Sequence, residues 1–274
     1  ILYALKNQDY PKDRREDRVQ EALSLVGLAG GNVEDRYPSE LSGGQQQRVA
    51  FARAISYEPK LLLMDEPLSN LDFQLRKRMR QSILDILEEI KVTTVYVTHD
   101  QEEAFEISDD ICVMKDGVMM QQGGPEALYD SPNSPFVANF IGEANVFNAE
   151  VSSKTKTSAN ATITKGDQKL DMVCRHEGGT ALKNPVIVIR PENIFIEVAS
   201  KAGKGSKYNK TSQTNEYSGK ITHKIFRGAS VYYDVIIGEN TTVQVRSSQS
   251  KLKVGQNVKV VIAKQDALIV QGAA

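Results

Sequence analysis

Leu41-Ser42-Gly43-Gly44-Gln45 runs straight into Gln46-Gln47-Arg48-Val49-Ala50 and a helical pattern that continues to about Tyr57. Serine is a preferred helix N-cap, and many Ser-Gly-Gly turns that open a helix do nothing beyond capping it. The residue types here also suit an anion. A helix start leaves backbone N–H groups without intrahelical partners and carries partial positive charge. Gly43 and Gly44 have no Cβ, so a phosphate can approach the main chain closely. Ser42 adds a hydroxyl beside them, which makes the turn an anion site of the helix-terminus kind.

Three further stretches follow. Leu61-Leu62-Leu63-Met64-Asp65-Glu66-Pro67 is an apolar run closed by acids, the pattern of a buried parallel strand whose C-terminal edge carries function. Ser69-Asn70-Leu71-Asp72 comes next, and Val92–Thr98 is a β-branched strand ending at His99-Asp100. Taken singly, two acids after a strand or a histidine after another are ordinary surface features. In this order and spacing the four elements resemble the ATP-binding cassette (ABC) ATPases, as signature, Walker B strand, D-loop and switch histidine. The D-loop match has Asn70 where the family more often has alanine.

The resemblance implies an α/β fold, a partial P-loop NTPase cassette with a parallel sheet and helices, and it assigns roles residue by residue. Ser42, Gly43, Gly44 and Gln45 would face the γ-phosphate of ATP held by a second subunit. Asp65 would orient Mg²⁺ through water, and Glu66 would be the general base that polarises the attacking water. His99 would bond the γ-phosphate, and Asp72 would belong to the nucleotide site. Cofactors would be ATP and Mg²⁺. Partners would be a second ATPase subunit packed head to tail, membrane permease subunits and, indirectly, a substrate-binding protein. The location would be the cytoplasmic face of the cell membrane, peripherally bound.

Around these motifs the sequence reads as follows. Residues 1–12 are expected to be a loop lead-in. Val19, Ala22, Leu23 and Val26 have helical spacing from Arg14 on, and Gly27 ends that helix. Residues 29–40 read as a polar connection. Leu75, Met79, Ile83, Ile86, Leu87 and Ile90 line one face of the helix after the D-loop. Asp109–Lys115 and Val118–Gly123 form a hairpin on the Asp116-Gly117 turn. Short helices begin near Gly124-Pro125 and Ser134-Pro135, and this passage looks like the end of a cassette in importers for polyamines, ferric ion, sulfate, phosphonates or maltose.

The texture changes from about Glu143, which divides the chain into a cassette part, 1–142, and a β part, 143–274. Nine β-rich runs are expected: Val146–Val151, Ala159–Thr164, Val186–Ile189, Ile194–Glu197, Ser218–Phe226, Val231–Ile237, Thr241–Val245, Val258–Ala263 and Ala267–Val270. Val188-Ile189-Arg190-Pro191-Glu192 and Gly219-Lys220-Ile221 with Phe226-Arg227-Gly228 resemble the transport-associated OB (TOBE) domain of those importers. Ala199–Asn215 is rich in Lys, Ser, Gly and Asn and reads as a loop or insertion.

A hydrophobic share of 40% and a charged share of 25% describe a globular protein, and no apolar run reaches the roughly 18 residues of a membrane span. Cys112 and Cys174 stand far apart with no metal-ligand spacing, which favours a reducing compartment. There is no signal-peptide pattern at the start. The sequence opens on Ile1, and it contains no G-x-x-x-x-G-K-[ST] phosphate loop and no glutamine loop. The simplest account is a fragment that begins after both motifs, inactive by itself; a degenerate cassette needs more assumptions. An ABC ATPase acting on nucleic acid, a non-hydrolysing regulatory module and an exporter subunit are the competing classes.

The net charge of −1 hides an asymmetry: residues 1–144 hold 15 Lys and Arg against 25 Asp and Glu, and residues 145–274 hold 19 against 10. A basic half can signal a nucleic-acid surface, but these lysines are not interleaved with aromatics that bases could stack on. No nucleic-acid partner is expected. At physiological salt, residues 145–274 should therefore give only weak, sequence-independent gel shifts. Tight, sequence-selective binding would move the protein into the nucleic-acid class.

Overall fold

The computed structural model describes residues 1–30, 33–69, 71–177, 182–198, 214–248 and 251–272. The chain forms two compact units, Ile1–Ile111 and Cys112–Ala274. In the first, helices α1 (Leu2–Asn7), α2 (Arg15–Leu25) and α3 (Gly43–Ile55) precede strand β1 (Leu61–Asp65). The long helix α4 (Phe73–Ile90) then leads to β2 (Thr93–Val97), and α5 (Gln101–Ile107) follows. The lead-in is not a loop. Leu5 of α1 is fully buried, and burying an apolar side chain outweighs the weak intrinsic tendency of so short a helix.

Strands β1 and β2 pair in parallel, with Leu61 opposite Thr93 and Asp65 opposite Val97, and α4 makes the crossover that parallel strands require. Met79, Ile83 and Ile86 of α4 pack with Leu62 and Met64 of β1 in one core that also takes in Leu23, Val26, Ala52 and Ile55. β1 is buried on that face alone. Leu61, Leu63, Val95 and Val97 are exposed on the other, where an apolar run suggested cover on both sides.

The second unit opens with a hairpin of β3 (Ile111–Lys115) and β4 (Val118–Gly123). Asp116 and Gly117 both have positive φ at its turn, as a two-residue hairpin prefers. Helices α6 (Pro125–Asp130) and α7 (Pro135–Ile141) each start on proline, whose missing N–H is harmless in a first turn. Then come β5 (Asn145–Lys154), β6 (Ser158–Lys165), β7 (Gln168–His176), β8 (Pro185–Ile189) and β9 (Ile194–Val198). The last five are β10 (Thr214–Arg227), β11 (Ser230–Ile237), β12 (Thr241–Ser247), β13 (Asn257–Ala263) and β14 (Ala267–Gln271).

A closed barrel runs β14-β7-β6-β5-β8, and a five-stranded sheet runs β12-β11-β10-β13-β9. One core, with Ile163, Met172, Cys174, Ile187, Tyr233, Val245 and Ile262 among its members, serves both. β7 has no counterpart in the sequence reading, because Lys169, Asp171 and Arg175 interrupt its apolar character at the outward positions. Of the expected loop Ala199–Asn215, residues 199–213 lie outside the described residues, and Thr214 and Asn215 open β10.

Three carboxamides stitch the barrel to the sheet as if they were peptide groups. Asn215 accepts the Val173 N–H (2.8 Å) and donates to the Val173 carbonyl (2.9 Å). Asn145 accepts from Gln244 N–H (2.7 Å) and donates to Gln244 O (2.8 Å). Gln168 accepts from Asn240 N–H (2.7 Å) and donates to Ile237 O (3.3 Å). A Cβ at Gly238 would coincide with the Gln168 side chain, so that turn requires glycine both for space and for its φ of 60°. Arg190 anchors α6 and α7: its guanidinium donates to Tyr129 O (3.1 Å), Ala138 O (2.7 Å) and Glu143 O (3.1 Å) and stacks on the Tyr129 ring.

Asn215→Ala leaves the half-buried Val173 N–H and C=O without these partners, and a fully buried group so left typically costs about 1–3 kcal/mol. Chemical denaturation should show the second unit destabilised by about 1–3 kcal/mol. An unchanged midpoint would mean that water replaces both bonds.

Candidate functional site

The signature turn takes the form of a capping box. Ser42 Oγ accepts the Gln45 N–H (3.4 Å), and the Gln45 side chain reaches back to accept the Ser42 N–H (3.0 Å). Gln46 N–H donates to Ser42 O (2.9 Å), so the helix has internal work for that amide but none for those of Gly43 and Gly44. A Cβ at Gly44 would press on Leu75 at 3.2 Å, whereas at Gly43 the nearest atom is 4.0 Å away, on Leu71. Gly44 therefore packs, and Gly43 keeps the main chain open.

Two arginines hold the helix that presents this turn. Arg18 donates to Ser56 O (2.7 Å) and Ile55 O (3.2 Å), closing the last turn of α3 with a cation where its dipole is negative. Arg48, in the middle of α3, donates to Val26 O (3.2 Å) at the end of α2 and to Ser82 Oγ (3.4 Å) on α4. The signature is thereby fixed to the helices on both sides of it.

The parallel register brings together the two residues that the family resemblance implicates in catalysis. Glu66 N–H donates to Val97 O (2.9 Å), one step beyond the last strand pair, so Glu66 and His99 leave the sheet at the same edge. His99 Nδ1 lies 3.3 Å from Glu66 Oε1. Glu66 has a φ of 44°, an unusual conformation for a residue with a Cβ, and Ser69 ties it down by donating to its carbonyl from both N–H and Oγ. Asp65 is exposed and has no side-chain partner among the described residues. Asp72 caps α4, its Oδ1 accepting the Leu75 N–H (2.9 Å). Asn70 lies outside the described residues. Ser42–Gln45 and the Glu66–His99 pair are separate groups, with no hydrogen bond between them among those described.

The switch loop has supports that the motif reading missed. Asp100 caps α5, accepting the Glu102 (2.9 Å) and Glu103 (3.3 Å) amides, and its other oxygen takes Arg76 Nη1 (3.1 Å). Arg76 also donates to Leu71 O (3.2 Å), which links the D-loop to the switch. Glu103 is 2% exposed and accepts both the Thr98 (2.8 Å) and Tyr96 (3.1 Å) hydroxyls. Arg80, on α4, faces Glu102 (3.3 Å) and Glu106 (2.7 Å) on either side of it. Burial, with the Glu103 charge and hydrogen bond added, pushes the Tyr96 phenol far up, so it stays a donor. The Asp100-x-x-Glu103 spacing of a capping box was the one local signal that could have pointed to this network.

A parallel βαβ pair with an acid and a histidine at its C-terminal edge, in one compact unit with a capped glycine turn, has the architecture of a nucleotide-binding cassette of the ABC type. A family model described as "ABC transporter" matches residues 2–69, and one described as "TOBE domain" matches residues 187–270. The chain is 37% identical over 274 residues to "Fe(3+) ions import ATP-binding protein FbpC 1" of Rhizobium meliloti, covering 99% of this chain and 72% of that protein. It is 38% identical over 266 residues to "Spermidine/putrescine import ATP-binding protein PotA" of Borreliella afzelii, covering 97% of this chain and 70% of that one. "Fe(3+) ions import ATP-binding protein FbpC" of Rhizobium etli is 41% identical over 235 residues, 86% of this chain and 61% of that protein. The chain belongs to the ABC transporter family and spans 61–72% of the length of these relatives.

Burial pushes the Asp100 carboxyl up, but the Glu103 amide, the Arg76 guanidinium and the Glu102 amide outweigh it and hold the carboxyl below its usual range. Its contribution to stability is thus present above the unfolded carboxyl pKa and lost as pH falls through the folded one. The stability gap between wild type and Asp100→Asn should be widest near neutral pH and shrink below about pH 4, measured by urea unfolding at several pH values. A pH-independent gap would show that the charge contributes nothing.

Proposed function

We propose that these residues belong to the ATP-hydrolysing subunit of an ABC importer, which powers solute uptake across the cytoplasmic membrane. The observation that carries this is the Glu66–His99 pair, 3.3 Å apart at the C-terminal edge of parallel strands, in the same unit as the capped signature helix. Glu66 takes a proton from the water that attacks the γ-phosphate, and His99 donates a hydrogen bond to a γ-phosphate oxygen. Ser42, Gly43, Gly44 and Gln45 offer hydroxyl, amide and carboxamide donors to the γ-phosphate of ATP held by a second ATPase subunit, and Asp72 lies in the nucleotide site through the D-loop.

Asp65 would hold Mg²⁺ through water, and the ion would neutralise charge on the β- and γ-phosphates. The donor set fits this use. Among the described residues no group of three or more His, Cys, Asp or Glu could cage a metal, and an unpartnered carboxylate suits an ion that keeps its waters and the substrate's phosphates. No described helix is long and apolar enough to cross a membrane. In this reading the subunit sits on the cytoplasmic face against permease subunits, with a substrate-binding protein delivering solute. Residues 1–142 would make up the cassette part and 143–274 the transport-associated part. The binding protein and permeases, not these residues, would choose the solute.

The 274 residues carry no phosphate loop, and positioning accounts for much of the barrier lowering in phosphoryl transfer, so this chain alone should not turn over ATP. Joined to a phosphate-loop segment from a relative, it should hydrolyse ATP. Glu66→Gln should then slow turnover by roughly 10²–10⁴-fold while nucleotide binding persists. Near-wild-type turnover in Glu66→Gln would remove Glu66 from the role of base.

A further inference from the structure

His99 is 70% exposed, and the side-chain contact recorded for it is the one with Glu66, itself about half exposed. A pair so open to water is too weak to set its own geometry. The order must come from the backbone on either side of His99, and both neighbours are held by the same group. Thr98 Oγ1 accepts the Asp100 N–H (3.0 Å) and donates its proton to Glu103 Oε2 (2.8 Å). Glu103 is the third residue of α5, where a capping-box carboxylate would reach the N-cap amide directly. Here the Thr98 hydroxyl is inserted between the two, so that the cap spans the histidine.

The same carboxylate oxygen takes the Tyr96 hydroxyl, two residues earlier on β2. A hydroxyl has one proton to give, so while Thr98 donates to Glu103 its lone pairs are turned to the Asp100 amide. An apolar residue would fill the Glu103 position without the desolvation that a buried carboxylate suffers. What an apolar residue could not do is fix the strand, the loop and the helix start with one acceptor.

We infer that Glu103, acting through the Thr98 hydroxyl, is a positioning residue that aims His99 at Glu66. Its catalytic meaning rests on the reading of Glu66 and His99 as the hydrolytic pair, but the placement itself can be tested without nucleotide.

The chain has three histidines, so the imidazole Cε1–Hε1 region of a ¹³C-edited NMR spectrum is readable residue by residue. His176 and His223, in the other compact unit, serve as internal controls. In wild type, Glu66→Gln should shift the His99 signal and leave the other two in place. In Thr98→Val, which keeps the shape and removes the hydroxyl, that response should fall at least twofold, and Thr98→Ser should restore it. Glu103→Ala should behave like Thr98→Val, whereas Glu103→Gln, whose amide oxygen can still accept both hydroxyls, should keep most of the response. If Glu103→Ala fails to fold, the Thr98 pair decides. A purely structural role would lower the melting temperature of Thr98→Val and leave the full His99 response, and that result overturns the inference. So does a wild-type His99 signal that ignores Glu66→Gln. Failure of ATP turnover in the phosphate-loop chimera would count against the hydrolytic reading alone.

Discussion

The parallel register of β1 on β2 is the constraint on which the rest of the first unit depends. Parallel strands need a crossover, and the 18 residues of α4 supply it while closing the core over Leu62 and Met64. Parallel pairing also puts both C-terminal ends at one edge. Asp65 and Val97 face each other across the last rung, and the next residues outward are the acid and the histidine loop. An antiparallel pair would send these groups to opposite ends of the sheet.

Sheet edges deliver residues only to within a few ångströms, and buried polar groups do the final aiming. In the first unit the work falls to arginines on helices and a carboxylate under the switch loop. Arg48 ties α3 to α2 and α4, while Arg76 joins the D-loop carbonyl of Leu71 to Asp100. A displacement of α4 would therefore reach the signature, the D-loop and the switch together. Charge-assisted hydrogen bonds are worth about 1.5–3 kcal/mol each and are directional, which apolar packing is not.

Much of this was legible in the sequence because the motifs are local. A Ser-Gly-Gly turn capping a helix, an apolar strand ending in acid and an Asp-Gly hairpin are each decided within a few residues, and each formed where expected. Long-range decisions were not legible. α1 forms because Leu5 finds a core, and β7 forms because Met172 and Cys174 point into a barrel closed by a strand, β14, nearly a hundred residues away. The outward Lys169, Asp171 and Arg175 hid the alternation. The carboxamide stitches were invisible for a plainer reason. Nothing around Asn145 or Asn215 in sequence distinguishes an asparagine that copies a peptide group from one in a surface loop.

The second unit uses the same device for a different end. Arg190 is buried, and burial pulls its guanidinium below the usual value, opposed by Tyr129, Glu192 and Asp130. Its Nη1 and Nη2 groups donate to carbonyls at or near the ends of α6 and α7, where helices leave acceptors unmatched, while its Nε is buried with no hydrogen-bond partner among the described residues. Tyr129 covers the guanidinium face and bonds Glu192, and burial together with that carboxylate pushes its phenol up to about 12. One side chain thus satisfies two short helices that could not persist alone, since each is well under the length at which isolated helices form. Arg190 and Glu103 solve the same problem from opposite sides, one donating hydrogen bonds and the other accepting them. Each is a buried polar side chain whose partners lie on different elements, so its desolvation is offset only when all those elements are in place. That makes each junction cooperative, which a hydrophobic contact of equal size, indifferent to direction, would not.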